Sequence, residues 1–414
     1  MRKNTIATFV LLVALLFTIT VSSYSQQAFD KNNLTVLVAA DAEKNTTVSV
    51  VEINKSDANQ SAVQTIDISG SGENAIRVSG YASSTLYASN SADGTLLCFT
   101  GHLSDATSGN VNKILDRAVI AVASDGTYVI TTTYTGVSGQ QTRCATTFDN
   151  VNFYIADQEG QYTNDAMEPS PSKNIRGIKI FGETVYVGQQ SDKKTPVAIT
   201  SAISDGFLTD LPGLDYDSVA QDFYFVSSGT NGEEYDILYV TSSLSDDKGT
   251  VDKYSLVNDS WNYNGSYVTN FGGFGLLAEK AGTGANLYVT TGAGGLADNR
   301  LVKLFDAAGY NTNININTTQ NINLFTAPNG AVLKGVAFAP KDLSSSISSP
   351  VIMDYKFRDN KLIFDRMPSS PVEVFAITGA KILTFEPSEM IDINLPKGIY
   401  IIRTSGLTAK IIVR

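Results

Sequence analysis

The stretch Asn286-Leu287-Tyr288-Val289-Thr290-Thr291-Gly292, an aromatic and β-branched run ended by a glycine, recurs in weaker form along the chain. Val185-Tyr186-Val187-Gly188, Leu238-Tyr239-Val240-Thr241, Phe153-Tyr154-Ile155-Ala156, Leu97-Cys98-Phe99-Thr100 and Val36-Leu37-Val38-Ala39 share its character. Each has the β-propensity and continuous apolarity of a strand packed on both faces. A chain that repeats one short buried strand is constrained to a repeat architecture, because no single copy can bury both of its faces alone.

Between Leu34 and Pro340 the pattern is strand, turn, strand, with almost no helical periodicity. Turns at Asp93-Gly94, Asp125-Gly126, Asn231-Gly232, Thr283-Gly284 and Asn329-Gly330 place glycine where a positive φ is needed. The strands fall in groups of four, the sequence habit of a β-propeller blade. The best-spaced groups run from Ile175 to Leu211, from Asp222 to Val268 and from Phe274 to Thr326. An earlier group runs from Thr85 to Thr133, and another begins at Thr142 and degenerates around Met167-Glu168-Pro169-Ser170-Pro171.

The last group has one strand, Leu333-Lys334-Gly335-Val336-Ala337-Phe338, and its three partners are expected at the other end, in Leu34 to Ala40, Thr47 to Ile53 and Val63 to Ile68. Pairing the two ends leaves no exposed sheet edge between first and last groups. The expected fold is all-β: a six-bladed β-propeller closed by N- and C-terminal strands, or seven blades if residues 100–172 hold another, plus a small C-terminal β-sandwich.

The expected domain order is a signal peptide at 1–25, the propeller at 26–340, a Ser-rich linker at 341–350 and the sandwich at 351–414. Arg2 and Lys3 precede an apolar run from Ile6 to Val21, followed by Ser23-Tyr24-Ser25, the layout of a cleaved export signal. An uncleaved anchor is the other reading; cleavage leaves no membrane span. The serine-rich run from Leu343 to Pro350 reads as a flexible boundary. Beyond it, six to seven short strands follow at sandwich spacing. With 30 Lys and Arg against 41 Asp and Glu, the net charge of −11 argues against a nucleic-acid partner, which needs a concentrated basic surface. An oxidising compartment permits a Cys98–Cys144 disulfide; two buried free thiols are the alternative.

Two resemblances add to this. Ile175-Arg176-Gly177, Val185-Tyr186-Val187, Thr250 to Ser255, Leu287 to Thr291, Asn299 to Val302 and Lys334 to Pro340 resemble exported bacterial propeller-like proteins, which implies a fold and a location and transfers no catalytic residue. The tail resembles the C-terminal sorting domain of type IX secretion cargo in Bacteroidetes, through Val372 to Ile382, Ile391 to Arg403 and Lys410 to Arg414. That resemblance implies the type IX secretion machinery as a partner, a cell-surface or extracellular destination, and Gly379, Lys397, Gly398, Tyr400, Lys410 and Arg414 as sorting residues. The usual proline- and asparagine-containing turn at the start of that domain is replaced by Met353-Asp354-Tyr355.

Residues for chemistry are few. His102, the one histidine, follows a predicted strand and reads as a surface-loop residue, so triads and most transition-metal sites have little to draw on. Carboxylate pairs for glycosidase chemistry would come from Asp215 with Asp217, Glu233 and Glu234 with Asp236, or Asp246 with Asp247. Asp246 and Asp247 are the candidates for calcium, the one cofactor considered. Tyr216, Tyr224, Trp261 and Tyr263 could stack on sugar rings, though core packing is the plainer reading. The expected function is a non-catalytic secreted or cell-surface binding or scaffold protein, with a glycan or protein ligand at the propeller channel mouth. The alternatives are a carboxylate-dependent glycoside hydrolase or lyase, and a purely structural envelope protein.

Overall fold

The computed structural model describes residues 27–190, 195–200, 207–214, 220–230, 234–245, 248–291, 299–342, 355–358, 360–364, 367–368, 370–376, 381–404 and 407–413. The expected signal peptide and most of the expected linker lie outside them. The chain divides into two compact units, 1–341 and 342–414. Both are all-β, the only described helices being 3-10 turns at Val111–Lys113 and Thr318–Gln320. Among the described residues no helix is long and apolar enough to cross a membrane.

In unit 1, β1 (Leu34–Ala39), β2 (Val48–Ile53) and β3 (Gln64–Asp67) form three strands of the first sheet. The second holds β4 (Ile76–Arg77) and β5 (Ser89–Asn90), both paired with β6 (Leu96–Leu103), then β7 (Asp116–Ala123) and β8 (Tyr128–Thr135). The third holds β9 (Thr142–Thr147), β10 (Phe153–Asp157) and the short β11 (Gln161–Tyr162). Three four-stranded meanders follow. They are β12 (Ile175–Phe181), β13 (Thr184–Gln189), β14 (Val197–Thr200) and β15 (Leu208–Asp210); β16 (Asp222–Val226), β17 (Ile237–Ser245), β18 (Lys248–Val257) and β19 (Ser260–Thr269); and β20 (Leu276–Ala281), β21 (Gly284–Thr290), β22 (Arg300–Asp306) and β23 (Ile322–Thr326).

The last strand of the unit, β24 (Val332–Phe338), returns to the first sheet and pairs antiparallel with β1, Val36 facing Val336 on one side and Val51 on the other. Every residue of β1 is buried, because apolar neighbours cover it on both faces. The innermost strands touch in a closed circuit: β5 meets β9, then β12, β16, β20, β24 and β5 again. Gly335 makes one of these approaches feasible, since a Cβ there would stand 2.3 Å from the Ala88 backbone nitrogen.

Buried or half-buried ion pairs sew neighbouring sheets together. Arg117 on β7 pairs with Asp157 on β10, Lys179 on β12 with Asp222 on β16, and Lys253 on β18 with Asp306 on β22. Lys55, just after β2, reaches Glu279 on β20 at 2.8 Å. Removing one member of a buried pair leaves an uncompensated charge in low dielectric, so these contacts fix which sheet sits beside which.

Unit 2 holds β25 (Tyr355–Arg358), β26 (Lys361–Phe364), β27 (Val372–Ala376), β28 (Lys381–Phe385), β29 (Met390–Asp392), β30 (Gly398–Thr404) and β31 (Leu407–Val413). One sheet runs β25-β26-β29 and the other β28-β27-β30-β31, over a shared core that includes Leu362, Phe364, Val374, Ile391, Ile402 and Ile411.

Candidate functional site

The inner strands of unit 1 surround a centre that is filled at one end and open at the other. Residues 79–88 fill the first end. Gly335 donates its N–H to Leu86 O at 2.9 Å, Tyr87 donates to Arg143 O at 2.9 Å, and the Tyr87 ring stacks on Phe274 with centroids 4.7 Å apart. Lys334, fully buried, reaches up from β24 to donate to Gly80 O at 2.9 Å and Ala82 O at 2.7 Å. Burial pushes its ammonium down to about 7, since desolvation disfavours the charged form.

The open end is a cavity of about 300 Å³, at the small end of the range for ligand pockets. Three lysines from remote parts of the chain line it: Lys31, Lys179 and Lys341. Lys31 sits in the turn ahead of β1, where the Asp30 backbone N–H donates to Glu52 and the Asp30 carboxylate accepts from Asn32 N. Lys341 follows β24, its backbone N–H bonded to Gly94 O at 3.0 Å. The turn carrying Gly94 is braced by Asp93, which accepts from Ser91, Thr95 and Asn150. Burial alone would raise that carboxyl, but these hydrogen bonds outweigh it and hold it below its usual range. Lys179 lies at the base, donating to Asp222 at 3.0 Å and to Leu276 O at 3.2 Å. Its ammonium also stands 5.6 Å from the Tyr224 ring centre, within cation–π range.

Apolar and neutral polar groups complete the wall. Phe181, Tyr224 and Phe338 present ring surface, and Ser89, Asn90 and Ser91 bring hydrogen-bonding groups from β5 and its turn. Asn90 is held in place by Phe338, donating to its carbonyl at 3.0 Å and accepting its N–H at 3.2 Å. Burial drives the Tyr224 hydroxyl far above its usual value, so it is a neutral donor. No carboxylate is among the described residues that line the cavity. The arrangement can hold a small molecule by charge attraction at one side and ring contact at the other.

The residues singled out from sequence scatter. Tyr224 lines the cavity, whereas Trp261 is buried against Phe225 with centroids 5.3 Å apart, and Tyr263 lies half exposed on β19 beside Tyr254. Glu234 is exposed, while Asp236 is buried and caps Ser228, accepting its N–H at 2.6 Å and its hydroxyl at 2.5 Å. Asp215, Tyr216, Asp217, Glu233, Asp246, Asp247, Gly379 and Arg414 lie outside the described residues. Among the described residues no cluster of His, Cys, Asp and Glu could hold a metal. Cys98 and Cys144 are free and buried, and burial raises both thiols, Cys144 to about 12. In unit 2, Lys397 is exposed ahead of β30, Gly398 and Tyr400 lie on that strand, the Tyr400 hydroxyl donates to Pro396 O at 2.9 Å, and Lys410 pairs with Ile401 across β30 and β31.

His102 corrects its surface-loop assignment. The strand continues through Gly101 to Leu103, so His102 pairs with Arg117 on β7 and Arg77 on β4 and is 1% exposed. Gly101 lets this happen, because a Cβ there would stand 2.5 Å from an Ile76 methyl. Burial first, then the Arg117 charge, push the imidazole down to about 3.

The lysines of the cavity escaped the sequence reading. Lys179 had a signal in Ile178-Lys179-Ile180, a cation in the middle of an apolar inner strand. Lys31 and Lys341 lie in ordinary polar surroundings and only the fold unites them.

No protein family and no curated protein matches the chain. Solved structures similar to it include two candidate 6-phosphogluconolactonases. One, from Bacteroides uniformis ATCC 8492, has a TM-score of 0.40 and 11% identity over 92% of this chain and all of that one. The other, from Bacteroides fragilis NCTC 9343, has a TM-score of 0.39 and 14% identity over 74% of this chain and 98% of that one. A hypothetical selenium-binding protein from Sulfolobus tokodaii has a TM-score of 0.38 and 9% identity over 76% of this chain and 95% of that one. Two of the three bear an enzyme's name, which runs against the expected non-catalytic binding or scaffold protein; that expectation is withdrawn.

Proposed function

We propose that unit 1 is a six-bladed β-propeller and that its open cavity is a working site for a small organic anion, a carboxylated or phosphorylated compound with one ring. The observation that carries this reading is the meeting of Lys31, Lys179 and Lys341 in one cavity with no carboxylate among the described residues of its lining, in a chain of net charge −11. Asp222 offsets Lys179, so Lys31 and Lys341 supply the surplus charge, and Tyr224 and Phe338 supply ring surface. Glycosidase chemistry by paired carboxylates has no support from the lining, because such pairs must face each other across the scissile bond.

The test is a panel of sugar acids, sugar phosphates and neutral sugars of matched size, scored by thermal shift of the full mature chain and then by turnover of every hit. Anionic members are expected to raise the melting temperature and neutral ones to leave it unchanged. Equal stabilisation by neutral sugars would sink the reading.

We also propose that unit 2 serves export through the type IX machinery. Supporting this, it is compact by itself, and β31 has β30 as its one partner among the described strands, so its outer side offers an edge for pairing. Deleting residues 342–414 is expected to retain the protein inside cells that otherwise export it; unchanged export refutes the role.

A further inference from the structure

Two arginines lie close together with no carboxylate among their hydrogen-bond partners in the described residues. Arg143 on β9 is 1% exposed, and its guanidinium donates only to neutral oxygens: Asn174 Oδ1 at 2.7 Å, Ile175 O at 2.5 Å and Ser84 Oγ at 3.4 Å. Its Nε–H has no hydrogen-bond partner among the described residues. Arg176 on β12 is half-buried and donates to the side-chain oxygens of Gln190 and Gln221, again neutral. Gln221 in turn donates to Tyr87 Oη at 3.0 Å and to Ser83 O at 2.8 Å. That makes the Tyr87 hydroxyl an acceptor of the Gln221 N–H, and among the described residues its own proton has no acceptor.

Three of the other buried cations of unit 1 are treated differently, while Lys334 donates to backbone carbonyls. Arg117, Lys179 and Lys253 each have a carboxylate against them. Arg143 and Arg176 instead repel one another: burial first, with the Arg176 charge adding to it, lowers the Arg143 guanidinium to about 10 against the opposing pull of Tyr87 and of the more distant Asp157. Both guanidiniums also act on the Tyr87 hydroxyl, pulling it down against the burial that lifts it to about 12. Uncompensated buried charge is costly, and donors without acceptors add to the cost.

We infer that Arg143, Arg176 and Tyr87 form a second site, near the start of β12 and apart from the lysine cavity, that binds an oxyanion, the carboxylate or phosphate group of a small ligand. An oxyanion would accept the Arg143 Nε–H and the Tyr87 O–H, and would take its charge balance from both arginines, the pattern of charge-assisted recognition that guanidinium groups favour. Arg176, half-buried, leaves the site open to solvent on its side. Lys179 lies three residues further along β12, about 10 Å away by strand rise, so an ion here is separate from one at Lys31 and Lys341.

Calorimetric titration of the full mature chain with inorganic phosphate, at constant ionic strength and pH 7, tests this, with acetate as the carboxylate probe. To remove the lysine cavity from the signal, the background is Lys31→Ala/Lys341→Ala. Saturable binding is expected to persist there and to weaken roughly tenfold or more with Arg176→Gln, the loss of a charged hydrogen bond. Tyr87→Phe, which keeps the ring on Phe274, is expected to weaken it less. Unchanged melting temperatures certify that both variants fold. Absence of saturable binding in the background, or binding untouched by Arg176→Gln, refutes the site. Phosphate binding that disappears in the background belongs to the lysine cavity and refutes it equally.

Discussion

The Lys179 ammonium and the Asp222 carboxylate meet at 3.0 Å in a buried contact between the fourth and fifth sheets, and the same carboxylate accepts the Leu276 N–H of the sixth sheet at 2.9 Å. One residue pair therefore ties three sheets and forms the base of the cavity. Burial raises the Asp222 carboxyl, and Lys179 with the backbone N–H groups opposes that rise.

Lys179→Met leaves Asp222 buried without its partner, and the expected cost is about 3–5 kcal/mol. Urea denaturation of the mature chain measures it. The double variant Lys179→Met/Asp222→Leu should recover part of the loss, because no orphan charge remains. A single variant as stable as the parent would contradict the role given to this pair.

His102 makes the fold acid-sensitive. Its folded value is about 3 against an ordinary 6.5, so between those limits the unfolded chain binds a proton that the folded chain does not. Stability from this group therefore rises with pH through the window and is lost as pH falls from about 6.5. His102→Leu should flatten the slope of stability between pH 4 and 6.5, read from urea midpoints. An unchanged slope would show that His102 is accessible or charged in the folded state.

Gly335→Ala places a methyl 2.3 Å from the Ala88 nitrogen and 2.8 Å from the Leu86 oxygen. Both are backbone atoms of the segment that fills the centre, so neither can swing aside. Overpacking of this kind costs roughly 1–3 kcal/mol or more, and a lowered melting temperature checks it. Gly330, with open space around it in the loop before β24, makes a control of a different kind: Gly330→Ala is strained by its φ of +86° and not by contact.

How much of this the sequence carries follows from burial. The pairing of β1 with β24 is legible because both are apolar on two faces, and an apolar strand with no neighbour in sequence must find one elsewhere. The three meanders from Ile175 onward are legible for the same reason. The continuation of the strand through His102 is not, since Gly101 looks like a turn in sequence, whereas in the fold it is where Ile76 needs room. Trp261 and Tyr263 sit two apart on one strand; the first faces the core and the second is half exposed. The cavity depends on Lys31, Asn90, Lys179 and Lys341, which no local pattern unites; their meeting is a consequence of ring closure. The like-charged pair Arg143 and Arg176 is equally silent in sequence, because the neutral character of their hydrogen-bond partners is a property of the surroundings.

The account turns on the charge of the open cavity. The most direct measurement is calorimetric titration of the mature chain with the tightest-binding organic anion from the panel, beside the Lys31→Ala/Lys341→Ala variant, at two salt concentrations. The account predicts saturable one-site binding that weakens with salt and drops roughly tenfold or more in the variant. Binding of equal strength in both proteins, insensitive to salt, would contradict it.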